Sequence, residues 1–160
     1  MKVRQSAHLG IYSAELSPEE MTEALGIPPD ESARKGSRKV GRNWWPIESR
    51  WILNSGLPET VDLNDHLDAL FARATPILPA VQALLASERA SGGFYIHRDF
   101  EPGPEDEAVL EVRTRDLPPG WKLLRGQHPL LGFALNPSRV AVLAQFGLGI
   151  EITESGDEFE

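Results

Sequence analysis

The sequence predicts an α+β fold, arranged as a two-layer sandwich in which helices cover one side of a mostly antiparallel sheet. Some short apolar stretches alternate with period two, as strands do, while others repeat every three or four residues, as helices do. Two segments share one order of elements: strand, capped helix beginning with proline, glycine and strand. With 160 residues, 41% of them hydrophobic, the chain fits one domain, predicted over residues 1–153, followed by an acidic, mobile tail over residues 154–160.

The first of these segments has clear helix signals. An apolar stretch over residues 8–13 predicts a strand. Ser17 is a typical N-cap, the next residue is proline, and Glu20 is placed to complete a capping box. Gly26 is expected to end the helix in a left-handed conformation. The predicted buried stripe consists of Met21, Ala24 and Leu25.

The middle of the chain predicts a loop, a strand and a long helix. Residues 30–43 are polar and are assigned to a loop, and residues 44–53 are assigned to a strand. Pro46 places that strand at an edge or at a bulge. Residues 60–90 carry leucines and other apolar residues at spacings of three and four, which predicts a helix with one apolar face. Pro76 predicts a kink within it.

A hairpin is predicted next, with strands over residues 93–100 and 108–113. Alternation in the first strand assigns its residues to two faces, with Phe94 and Ile96 on one and Tyr95, His97 and Asp99 on the other.

The second repeated segment lies at the end of the chain. It consists of a strand over residues 130–135, a helix capped by Asn136 and ended by Gly147, and a strand over residues 148–153. The predicted buried stripe of this helix consists of Val140, Leu143, Ala144 and Phe146. Two βαβ-like units predict a split βαβ, ferredoxin-like sheet, with the long kinked helix and the hairpin inserted between them. Since capped prolines and terminal glycines are common in helices, a chance match is the alternative.

Composition and charge exclude several classes of protein. The chain has no cysteine, which excludes disulfides, cysteine-based metal sites and thiol chemistry. A net charge of −8 argues against binding to nucleic acid. The net charge is +1 over residues 1–50, −3 over residues 51–100 and −6 over residues 101–160. We find neither a signal peptide nor an apolar run of about 18 residues, and we therefore expect a cytoplasmic protein that does not contact a membrane.

The histidines do not predict a metal site. The four are far apart in the sequence, and no two have the spacing that places them together on a helix. A site formed by His66 with Asp62 or Asp65 is the open alternative, although acids in a first helical turn are also favoured by the helix dipole. We therefore expect no metal and no cofactor.

Catalytic signals are equally weak. Tyr95, His97 and Asp99 share a strand face, which can place a base beside an orienting acid. The polar face of any half-exposed strand produces the same pattern, however. The sequence contains no nucleophile elbow and no phosphate-binding glycine loop. We assign no catalytic residue and favour a protein that is not an enzyme.

A basic segment over residues 34–42 is the most concentrated charge in the chain. It contains five cations in nine residues, and two tryptophans follow it. Clustered cations beside aromatic rings can bind an anion or a small ligand. The residues of this candidate site are Arg34, Lys35, Arg38, Arg42, Trp44 and Trp45. The alternative is a solvated loop that the tryptophans anchor to the core.

Several segments resemble a known bacterial family. They are the strand over residues 9–13, the cap over residues 16–20, Gly36 in a basic loop, residues 44–49 and the helix and strand over residues 143–152. Together they resemble the domain-of-unknown-function family numbered four-two-seven-nine. The resemblance implies a small, stand-alone bacterial domain, of a kind often found as accessory or immunity-like binding proteins. It assigns no activity to any residue.

Taken together, these features predict a small accessory protein that binds a protein partner, as immunity proteins and inhibitors do. The acidic last third favours a basic partner, which negative charge would steer into contact. The predicted contact residues are Glu101, Glu105, Asp106 and Glu107. The alternative is a regulatory domain that binds a small ligand or an anion through the basic segment.

Overall fold

The computed structural model describes residues 2–37, 46–101 and 135–156. In chain order, its elements are β1 (Lys2–Ser13), α1 (Pro18–Leu25), β2 (Glu31–Ala33), β3 (Ser49–Asn54), α2 (Leu63–Ala74), a 3₁₀ turn (Thr75–Ile77), α3 (Leu78–Ala86), β4 (Ser91–Glu101), α4 (Pro137–Phe146) and β5 (Gly149–Gly156). Helices and strands both contribute to one hydrophobic core, and the α+β class is therefore confirmed.

The strands form one mixed sheet in the order β2-β3-β1-β4-β5. Three of the four pairings are antiparallel, and β5 runs parallel to β4. β1 is the central strand and pairs with β4 along most of its length, from Lys2 opposite Glu101 to Tyr12 opposite Ser91. This long pairing fixes which residues of the two strands share a face.

The core lies between the helices and one face of the sheet. Leu9, Trp51 and Phe94 occupy that face on three neighbouring strands, and all three are fully buried. The Phe94 ring meets Phe71 of α2 and Phe146 of α4 edge to face, at centroid distances of 5.6 and 5.1 Å. Because these contacts join elements from distant parts of the chain, burial around Phe94 holds α2 and α4 to the sheet.

Helix α1 begins and ends as its sequence predicts. The Glu20 amide donates to the Ser17 hydroxyl at 3.3 Å, and the Ser17 amide donates to the Glu20 carboxylate at 2.7 Å. Gly26 follows the helix with φ of +76°. Ala24 was wrongly assigned to the buried stripe, because it lies about 100° around the helix from Leu25. The buried residues are Pro18, Met21 and Leu25.

The long helix is interrupted where the proline predicts it. α2 starts after Asp62, whose carboxylate accepts from the Asn64 amide at 2.8 Å, and the 3₁₀ turn around Pro76 separates it from α3. Among the described residues, the stretch Leu63–Ala86 is long and apolar enough to cross a membrane by length and composition, which the search for an apolar run missed. Its buried residues join the sheet in the core, as those of a core helix do.

The strands differ from their predicted limits at three places. β1 begins at Lys2, well before residue 8, because pairing with β4 extends it through residues that show no apolar alternation. β2 lies inside the predicted loop over residues 30–43 and is held by pairing with β3. β3 covers Ser49–Asn54, so residues 46–48 of the predicted strand are not part of it, while residues 44 and 45 lie outside the described residues. Each difference arises from pairing, which a local pattern does not reveal.

The C-terminal helix is confirmed between Asn136 and Gly147, and Gly147 has φ of +66°. Leu143 and Phe146 are buried, whereas Val140 and Ala144 are exposed, contrary to prediction. The difference arises because α4 contacts the core along a narrower stripe than its apolar residues predict.

β5 extends to Gly156, and residues 154–156 therefore belong to a strand and not to a tail. The predicted strand over residues 108–113 lies outside the described residues, as do residues 130–134 of the next one. The first strand of the second βαβ-like unit is the one predicted over residues 130–135, so most of that strand lies outside the described residues.

Candidate functional site

The face of the sheet opposite the core carries the candidate site. Described helices contribute to the core on the other face, where residues 7, 9 and 11 of β1 point. Alternate residues of the same strands point away from that core. We name this side the polar face, and its main residues are Ser6, His8, Gly10, Tyr12, Glu31, Arg50, Ile52, Asn54, Tyr95, His97, Asp99 and Glu151.

Four rings form a cluster at the centre of the polar face. His8 lies opposite Tyr95 in the β1–β4 pairing, and the two rings stack with centroids 5.1 Å apart. The His97 ring stacks on the other side of His8 at 6.0 Å. Tyr12 meets Tyr95 edge to face at 5.6 Å. We call these four side chains the ring cluster, and cross-strand pairing brings them together.

Gly10 allows the tyrosine rings to lie close to the sheet. A β-carbon at this position would be 2.8 Å from the Tyr12 ring and 2.9 Å from the Tyr95 ring. Both distances are shorter than van der Waals contact. The glycine is therefore required by a close approach, because its missing side chain is the space that the rings occupy.

Burial keeps three rings of the cluster, those of His8, Tyr12 and Tyr95, uncharged at neutral pH. The pKa of His8 is lowered to about 4, mainly by burial and to a smaller extent by the neighbouring His97 and Arg50, whereas Glu31 opposes the shift. Burial also raises the pKa of Tyr12 and of Tyr95. These three rings are therefore neutral and carry polar atoms, which suits hydrogen bonding and stacking with a bound partner.

The structure confirms that Tyr95, His97 and Asp99 share one face. The Asp99 carboxylate accepts from the Ser155 hydroxyl of β5 at 3.0 Å, and His97 stacks on His8. Asp99 is thus engaged by the neighbouring strand, and this arrangement differs from that of an acid orienting a base.

The predicted basic site is only partly described. Arg34 donates to the Glu19 carboxylate at 2.8 Å, and the Lys35 ammonium donates to the carbonyl of Ala14 at 3.1 Å. Both cations are therefore engaged near the start of α1. The other residues of the predicted site, Arg38, Arg42, Trp44 and Trp45, lie outside the described residues.

The comparison with protein families gives one match. The model of the family described as Domain of unknown function (DUF4279) matches residues 1–104. The chain belongs to this family. Comparisons with curated proteins and with solved structures gave no match. The resemblance read from the sequence is therefore confirmed, although it extended to residues 143–152, beyond the matched range.

The DUF4279 match contains the whole ring cluster and ends just after β4. α4 and β5 lie beyond it, and yet they complete the core and one edge of the sheet. The polar face is therefore contributed mainly by the family domain, and one edge of it by residues outside the match.

A group of acids lies at that edge of the sheet, and one of them, Glu101, is among the contact residues predicted from the sequence. Glu101 ends β4 and pairs with Arg4, and Glu154 of β5 pairs with Arg98 at 2.5 Å. Residues 151–155 are all exposed. We call Asp99, Glu101, Glu151 and Glu154 the acidic edge. The other predicted contact residues, Glu105, Asp106 and Glu107, lie outside the described residues.

His66 has a structural environment. Its ring is fully buried, and Nδ1 lies 2.6 Å from the Ser55 hydroxyl. Burial lowers the pKa of His66, so that the ring is neutral at neutral pH. Asp62, its potential partner in a metal site, caps α2 instead. Within the described ranges, no three His, Asp or Glu side chains are grouped so that they would hold a metal ion.

Proposed function

We propose that this DUF4279 protein binds a basic protein partner through the acidic edge, in the manner of an immunity protein or inhibitor. The observation that carries the proposal is the position of the acids. Glu151 and Glu154 lie on the exposed strand β5, and Asp99 and Glu101 lie on β4 next to it. Glu151 is opposite Tyr95 of the ring cluster. Negative charge at such an edge increases the rate at which a basic partner associates.

The charge balance of this region supports the proposal. The acidic edge contains four carboxylates, two of which are paired with Arg4 and Arg98. In the sequence, residues 101–160 carry a net charge of −6. A surplus of negative charge is therefore available to a partner after the internal ion pairs are formed.

The ring cluster supplies a second kind of contact beside the acids. Tyrosine is enriched at protein interfaces because its ring buries a large area while its hydroxyl still forms hydrogen bonds. Tyr12 and Tyr95 are half-buried, and His97 is exposed. A partner seated on the acidic edge would reach these rings across β4, since Glu151 lies opposite Tyr95.

We also propose the finer architecture, a two-layer split βαβ arrangement, and a cytoplasmic location in a bacterium. β1 and β2 each run antiparallel to β3, and so they are parallel to one another with β3 between them, as in a split βαβ unit. The core of the described residues is that of a globular domain, which is consistent with the proposed location.

The proposal is tested by capturing partners from a native lysate. One variant, the acidic edge variant, replaces Glu151 of the acidic edge and the predicted contact residues Glu105, Asp106 and Glu107 with the corresponding amides. Glu101 and Glu154 are kept because they pair with Arg4 and Arg98. A matched control removes four exposed acids elsewhere, namely Glu23, Glu48, Asp65 and Glu88. We expect the wild type and the control to capture the same basic protein, and the edge variant to associate about tenfold more slowly at low salt. Equal association rates for all three would contradict the proposal.

The alternative is a regulatory domain that binds an anion through the basic segment. Arg34 and Lys35 are already engaged by Glu19 and by a backbone carbonyl. A groove of about 270 Å³ at the end of β4 is polar and smaller than most ligand sites. Tryptophan fluorescence during titration with nucleotides separates the two proposals, because a saturable change below millimolar ligand favours the regulatory domain.

A further inference from the structure

β5 forms one edge of the sheet that the described strands build. It is eight residues long, and among the described strands it pairs with β4 on one side only. The pairing runs without interruption from Gly149 opposite Gly93 to Gly156 opposite Phe100. A strand in this position presents a row of backbone N–H and C=O groups on its outer side.

β5 has few of the features that usually block pairing at an edge. It contains no proline and no lysine, and its register shows no bulge. Ile152 is 44% exposed, and residues 151–155 are all exposed, which leaves the strand accessible. The opposite edge differs, because β2 is only three residues long. β5 is therefore the edge suited to accept another strand.

The charge of β5 selects what can pair with it. Glu151 lies on the polar face, whereas Glu154 lies on the side of the core and is paired with Arg98, so the acid available to a partner strand is Glu151. A second copy of the same strand would bring like charges together, which destabilises a cross-strand pair. A basic strand would instead place an opposite charge beside Glu151.

We propose that β5 receives an extended basic segment of the partner as a sixth strand of the sheet. The inference rests on the proposed function, for which it supplies the mode of binding. Main-chain hydrogen bonds to β5 would provide the affinity, and lysine or arginine opposite Glu151 would provide the selectivity. An apolar residue of the segment would cover Ile152.

The first test uses a synthetic peptide of eight residues in which lysine and valine alternate. Nuclear magnetic resonance measures hydrogen exchange of the backbone amides of the full chain with and without it. We expect the outward-facing amides of β5 to exchange at least about tenfold more slowly with the peptide. A glutamate–valine peptide and a lysine–valine peptide interrupted by proline are the controls. No protection with the basic peptide, or equal protection with the proline peptide, overturns the inference.

The second test uses two proline variants, Ile152→Pro and Thr153→Pro. Successive residues of a strand point their amides to opposite sides, so one variant removes an outward donor and the other a donor to β4. We expect the variant that lacks the outward donor to bind the peptide at least tenfold more weakly, while its thermal unfolding resembles that of the wild type. Unchanged binding in both variants overturns strand addition. If the acidic edge variant still associates more slowly with the captured partner, the proposed function stands without strand addition.

Discussion

The two faces of the central strands differ in almost every property, although alternate residues of the same segments form them. Leu9 and Phe94 are opposite each other on one face and are fully buried. His8 and Tyr95 are opposite each other on the other face and stack as partly exposed rings. The comparison indicates that stability depends mainly on the first face, while the second is free to carry binding chemistry.

The largest expected effect concerns the core face. Phe94→Ala removes a buried ring that contacts Phe71 and Phe146, so we expect a loss of about 3–5 kcal/mol in the free energy of unfolding. Tyr95→Ala, one residue along, should cost less than half as much, because its ring is partly exposed. Urea denaturation of both variants measures the difference. Equal losses would show that the polar face contributes to stability as much as the core.

The second prediction concerns pH. Because the pKa of His8 is about 4 in the folded state and about 6.5 in an unfolded chain, the unfolded state binds more protons between these values. Stability should therefore decrease as the pH falls from 6.5 to 4. Allowing for partial exposure of the ring, the decrease due to His8 is about 2–3 kcal/mol. Denaturation at a series of pH values measures it, and titration of the His8 ring protons gives the pKa directly.

His8→Gln is the matching variant, since it removes the titration and keeps a polar side chain. We expect its stability to vary less with pH than that of the wild type over the same range. His66, whose pKa is also lowered by burial, contributes in the same direction and remains in this variant. An unchanged pH dependence in His8→Gln would mean that the effect arises on the core side of the sheet.

The smallest expected effect concerns the close packing of the rings. Gly10→Ala forces the Tyr12 and Tyr95 rings away from the sheet, at a cost of about 1–2 kcal/mol. Gly149→Ala is the control, because a β-carbon there meets no described atom within 4 Å, and it should change stability by less than about 0.5 kcal/mol. Thermal unfolding compares the two. Tyr12→Ala in the Gly10→Ala background should recover part of the loss if the rings are its cause.

Local sequence signals predicted the helices well. The cap at Ser17, the interruption at Pro76 and the glycine after α4 all act between residues close in the chain, and each is found where it was predicted. The strands were predicted less well. The first half of β1 and the whole of β2 lack apolar alternation, so no local pattern indicates a strand there. They are strands because they pair with β4 and β3.

The candidate site was only half visible in the sequence. Alternation assigned Tyr95 and His97 to one face, but nothing local indicated that His8 and Tyr12 would join them. The only trace was Gly10, a glycine inside a strand, which indicates a close approach. Of the acidic edge, the sequence indicated only Asp99, as a polar residue of β4, and Glu101, as a contact residue, since Glu151 and Glu154 join them through the parallel pairing of β4 and β5.

By itself the sequence determined the absence of cysteine chemistry, the caps of α1 and α4, the alternating faces of β4 and the family. These properties depend on composition or on residues near one another in the chain. The tertiary structure decided the strand order, the ring cluster and the exposed acidic strand. Each of these requires segments far apart in the sequence to be paired, and the register of that pairing is set by the packing of the whole core.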